Sequence, residues 1–158
     1  MLEFDFDGHL KPYNAISVPP DQLEKLAEEH FLMNTHRNAL FRHYLFLSEE
    51  LENVLTFPSF QYMDGSFVTR KSEPKDLDLV IFIDYRDFEA NEKELKFLLE
   101  RNKNLNLDCY FEKRYPEDHK FFMRYKTDLL YWESLFSKTR TKKKKGFLKI
   151  ESYGSGGK

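Results

Sequence analysis

Apolar residues recur at helical spacing soon after Pro19-Pro20, at Leu23, Leu26, Ala27 and Phe31, with Glu24, Lys25, Glu28 and Glu29 on the opposite face. Proline tolerates the first turn of a helix, so the pattern predicts a helix entered at the proline pair. Asn34-Thr35 offers a cap for a second, longer helix. Its apolar positions are Leu40, Phe41, Tyr44, Leu45, Leu51, Val54 and Leu55, interrupted by Ser48. That stripe is wide enough to cover one face of a sheet. His36, Arg37, Arg42 and His43 share the second helix without an i, i+4 histidine pair and are expected on its exposed side. Residues 1–18 hold no sustained period, and Asp7-Gly8 is a turn signal. They are expected to run irregularly across the surface, with the two leading helices filling residues 19–55.

Beyond residue 55 the period changes. Phe57 to Met63 is a short aromatic strand. Leu77 to Asp84 is apolar on both faces, Leu79, Ile81 and Ile83 alternating with Val80 and Phe82, as a strand covered on both sides would be. Asp84, Asp87, Glu89 and Glu92 mark a helix start, with Phe88, Leu95, Leu98 and Leu99 as its buried face and a break from Asn102 to Asn106. Leu105 to Phe111 is a third strand that segregates Leu107, Cys109 and Phe111 from Asn106, Asp108 and Tyr110. Pro116 opens another helix with a stripe of Phe121, Phe122, Tyr125, Leu129, Trp132 and Phe136, assigned to the core. A basic loop from Lys138 to Lys145 precedes a last strand at 146–150, expected at an edge. This order predicts an α+β (mixed α/β) fold, with a small mixed β-sheet of about four or five strands flanked by helices. One domain fills residues 1–153, and Gly154-Ser155-Gly156-Gly157 opens a flexible linker or tag remnant at 154–158.

A chain of 158 residues, 41% hydrophobic and 16% aromatic, has the material for one core. Its single cysteine, Cys109, excludes an intrachain disulfide framework. No apolar run approaches the roughly 20 residues needed to cross a bilayer. The first residues also lack the basic and apolar segments of a signal peptide. The expected location is therefore cytoplasmic, with no membrane partner. The net charge of -2 conceals an asymmetry, residues 1–100 carrying -10 and residues 101–158 carrying +8. Such a split suits a polyphosphate or nucleic-acid partner, or two halves that neutralise each other.

The chemistry concentrates between Asp64 and Phe82. Asp76 and Asp78 stand one residue apart where the most apolar strand begins, so their side chains point the same way. Two adjacent carboxylates repel unless a cation or proton lies between them. Magnesium prefers one or two carboxylates, with water and phosphate completing its shell. Asp108, polar within an apolar strand, is the candidate third ligand. Gly65 lets a backbone approach a phosphate, and Ser66 can donate its hydroxyl to it. Arg70, Lys71 and Lys75 lie in the intervening segment, where phosphate contacts and solvated charges are both compatible with sequence. The structural alternatives are Lys75 and backbone groups satisfying Asp76 and Asp78, Arg114 pairing with Asp108, and Asp64 capping the Gly-Ser turn.

Gly65-Ser66, a gap of nine residues, then Asp76-Leu77-Asp78-Leu79 with the later Asp108 resembles the signature of the polymerase-β-like nucleotidyltransferase superfamily. The run Asp64-Gly65-Ser66-Phe67-Val68-Thr69, with Tyr131-Trp132 and Lys145-Gly146, is similar to a branch of short bacterial minimal nucleotidyltransferase-like proteins. The resemblance implies catalytic and metal-binding roles for Asp76, Asp78 and Asp108, and nucleotide contacts from Gly65, Ser66, Arg70 and Lys75. It implies Mg2+ as cofactor, a nucleoside triphosphate as substrate, and transfer of a nucleotidyl group to an acceptor. It also implies a toxin or antitoxin as protein partner, or a place in phage defence. Two other functions compete. One is a catalytically silent binding partner on the same fold, such as an antitoxin or assembly module. The other, less favoured, is a nucleic-acid-binding domain using the Lys142–Lys145 run, although that run has no interleaved aromatic for stacking single strands.

Overall fold

In a computed structural model, which describes residues 1–152, a five-stranded mixed sheet has the order β3-β7-β4-β5-β6. The strands are β3 (Ala15–Val18), β4 (Ser59–Asp64), β5 (Leu77–Asp84), β6 (Leu107–Arg114) and β7 (Phe147–Ser152). Strand β4 runs antiparallel to both its neighbours, whereas β5 and β6 are parallel, as are β3 and β7. A separate hairpin pairs β1 (Glu3–Phe4) with β2 (Leu10–Lys11). The expected 154–158 linker lies outside the described residues.

The alternation of β5 divides the core. Leu79, Ile81 and Ile83 pack with α1 (Leu23–His30), α2 (Thr35–Val54) and α4 (Glu92–Lys103) on one face. Val80 and Phe82 pack on the other face with Phe60, Tyr62 and α5 (Phe122–Phe136), through Tyr125, Trp132 and Phe136. Leu77–Asp84 is the strand that sequence alternation predicts, residue for residue. Asn34 caps α2 as expected, accepting a hydrogen bond from the Arg37 backbone N–H at 2.9 Å.

Four local expectations need correction. Residues 1–18 are not irregular: they form the hairpin and β3. Strands of two to four residues are too short for a period to show. The last strand is not at an edge, because β7 lies between β3 and β4. The predicted 84–101 helix is two helices, α3 (Tyr85–Ala90) and α4, which meet at Asn91. Arg37 is not on an exposed face: it is wholly buried. No described helix is long and apolar enough to cross a membrane.

Candidate functional site

Strand register assembles a row of carboxylates. Asp64 on β4 is paired with Asp78 on β5, and Asp78 with Asp108 on β6. Residues opposite one another on neighbouring strands share a face. All three therefore stand on the α5 side, at the end where β5 and β6 begin. Asp64 is buried, Asp78 half-buried and Asp108 exposed, so the row runs from core to rim. Asp76, just before β5, is exposed at the same end.

The row is electrostatically tense. Burial, then the neighbouring charges of Asp108 and Asp76, push the Asp78 carboxyl up to about 6. Burial also raises Asp64, and Lys145 opposes that rise. The Lys145 ammonium, itself buried, forms an ion pair and hydrogen bond with Asp64. Lys145 is delivered by the turn into β7. There Gly146 passes so close to the Pro12 carbonyl that a Cβ would overlap it. The basic loop is thus not uniformly solvated: Lys142, Lys143 and Lys144 are exposed, and Lys145 is an internal partner. Among the described residues, Asp76, Asp78 and Asp108 form no salt bridge. Lys75 and Arg114 do not neutralise them.

Gly65 is pressed against the row at Asp78. Its φ is +82°, and a Cβ there would lie 2.7 Å from Oδ2 of Asp78. Glycine alone permits both the left-handed backbone and this approach. A 3-10 turn over Ser66–Val68 follows. The loop is held from behind by Arg37, whose guanidinium donates to the carbonyls of Phe31, Ser66, Phe67, Thr69 and Lys71. Burial lowers the Arg37 guanidinium to about 10. Asn34 donates to the Ser72 carbonyl and His36 bonds that of Pro74, so the start of α2 grips the whole loop.

Not every expected residue converges. Arg70 packs its guanidinium 4.3 Å from the Phe4 ring centroid, toward the N-terminal hairpin. Lys75 is exposed. Among the described residues, the group of three ligating side chains drawn within 4.8 Å is Asp5, Asp7 and His9, not Asp76, Asp78 and Asp108. Asp5 already accepts from the backbone N–H groups of Asp7 and His9 and from the Tyr13 hydroxyl, which makes it the brace of the β1–β2 turn. The row still fits a hard divalent cation by its chemistry, since it offers oxygen donors on adjacent strands with mutual repulsion to relieve. Two members were missed from sequence: Asp64 as part of the row and Lys145 as its partner. Asp64 adjoins the Gly-Ser pair, but only strand pairing puts it beside Asp78.

The profile of a family of unknown function, DUF6932, matches residues 2–151. No curated protein and no solved structure matches the chain.

Proposed function

The chain belongs to the DUF6932 family, and we propose that it is a magnesium-dependent nucleotidyltransferase. It would move a nucleotidyl group from a nucleoside triphosphate to a hydroxyl of an acceptor. The observation that carries this reading is the registered row Asp64, Asp78 and Asp108, with Gly65 pressed against Asp78. A structural strand gains nothing from three adjacent carboxylates, whereas a polyphosphate site needs them to gather cations.

Asp76, Asp78 and Asp108 would hold magnesium, which supplies charge neutralisation of the triphosphate. The half-buried Ser66 would donate its hydroxyl to a phosphate oxygen on a loop already shaped by Arg37, so little ordering remains on binding. Asp108, at the rim, would help hold the cation beside the acceptor hydroxyl, whose proton would pass to water. The acceptor oxygen then bonds to the α-phosphorus, and pyrophosphate leaves with the electrons of the broken P–O bond. Lys145 would hold Asp64 in place and oppose the rise that burial imposes on its carboxyl, while lending positive charge to the site.

The test is incubation of the purified chain with α-labelled nucleoside triphosphates and magnesium, with cell extract supplying acceptors. Label should pass to an acceptor with wild type and fall below detection with Asp76→Ala and Asp78→Asn, each still folded by circular dichroism. Undiminished labelling by both variants would overturn the assignment.

A further inference from the structure

Beside Asp108 the molecule shows a feature that the phosphate chemistry leaves unused. Tyr110 lies two residues beyond Asp108 on β6 and is 47% exposed, and Tyr131 on α5 is 59% exposed. Both rings contact the indole of Trp132, Tyr110 at 5.0 Å between centroids and Tyr131 at 5.2 Å. Trp132 is buried and anchored, its Nε1 donating to Glu112 at 2.9 Å. Two large rings are thus held at the surface by a fixed third one. Leu135, one turn beyond Tyr131, continues the exposed apolar surface.

We propose that Tyr110 and Tyr131, backed by Trp132, form the stacking platform for the base of the nucleoside triphosphate. The proposal rests on the nucleotidyl-transfer reading and deepens it, because it adds the base subsite to the phosphate end. Position carries it. Alternation puts Tyr110 on the same face as Asp108, about 7 Å along the strand. That separation suits a sugar between the phosphates and the base. Chemistry carries it further. Exposed aromatic rings in water gain by covering a planar π surface, and a base offers one on either face. The ligand's charged end would lie by Lys145 and Arg140, the cations that act on Asp78. Stacking on aromatic rings tolerates any planar base, so the platform should accept all four bases and favour the larger purines.

The chain carries its own reporter, since Trp132 is the only tryptophan. The full chain is titrated with magnesium and either α,β-methylene ATP or inorganic tripolyphosphate, following Trp132 fluorescence and calorimetric affinity. The analogue should change the fluorescence and tripolyphosphate should bind without doing so. Tyr110→Ala and Tyr131→Ala should each weaken the analogue about tenfold, in line with the loss of one stacking ring. Both should leave tripolyphosphate affinity unchanged, and Tyr131→Phe, which keeps the ring, should bind like wild type. If both alanine variants hold the analogue as tightly as wild type while still binding tripolyphosphate, the base lies elsewhere and the platform is refuted alone. If wild type binds neither probe, the nucleotidyl-transfer reading falls, and the platform with it.

Discussion

Gly65 and Lys145 each have a role set by their exact place in the fold. Gly65 combines a positive φ with contact against Asp78. Gly65→Ala should therefore destabilise the fold by about 1–3 kcal/mol through backbone strain alone, and should displace Asp78 as well. Urea unfolding reads the first effect. Loss of magnesium-dependent labelling at temperatures where the variant is folded reads the second. Lys145 and Asp64 are a buried ion pair, and removing one partner of such a pair typically costs about 3–5 kcal/mol because it leaves an unpaired buried charge. Lys145→Met should show a loss of that order in chemical denaturation, and Lys145→Met with Asp64→Leu should recover most of it. A double variant no more stable than the single one would mean that Lys145 contributes packing rather than charge. Neither role is visible in composition: Lys145 ends a run of four lysines, three of which are exposed.

At the scale of elements, the start of α2 is the device that shapes the site. Asn34, His36 and Arg37 all reach loop 66–74, and Arg37 alone meets five carbonyls. A planar fork with five N–H donors fits that array, and an ammonium does not. Arg37→Lys should therefore behave as a severe change. It should lower stability by about 3 kcal/mol or more, since unpaired buried carbonyls cost about 1–3 kcal/mol each. Amide exchange should speed up selectively in residues 66–74, and exchange that rises evenly across the sheet would instead make Arg37 a general core residue. A hydropathy pattern assigns any arginine to the solvent side of a helix, which is why this one was misplaced. Only the folded loop supplies the acceptors that make its burial tolerable. Asp87 works similarly: it looks like a helix-start acid, yet its carboxylate accepts the backbone N–H groups of Thr56 and Phe57 and ties α3 to the approach to β4.

For the whole molecule, the carboxylate row couples protonation to stability. The Asp78 carboxyl is held near 6 by burial and by the carboxylates of Asp108 and Asp76, against the opposing Lys145 and Arg140. The folded state therefore binds that proton more tightly than the unfolded chain, whose ordinary value is about 3.9. The contribution is complete below about pH 4 and is lost as pH rises through about 6. In chelator-treated protein the melting temperature of wild type should fall between pH 4.5 and 7 relative to Asp78→Asn, and magnesium at pH 7 should restore it by binding the folded state. Parallel profiles for the two proteins would show that the row is not under strain. What the chain determined by itself was everything carried by local periodicity: the two leading helices, the doubly apolar β5, the face of β6 that bears Asp108, and a Gly-Ser pair ahead of paired aspartates. Those patterns are legible because a strand or helix writes its own period into adjacent residues. Tertiary structure decided the rest: that Asp64 stands beside Asp78, that Lys145 comes back across 81 residues to meet Asp64, that β7 is interior, and that Arg37 is buried. Each depends on pairing between segments far apart in sequence, where the partner, not the residue type, sets whether a charge is stable inside the fold.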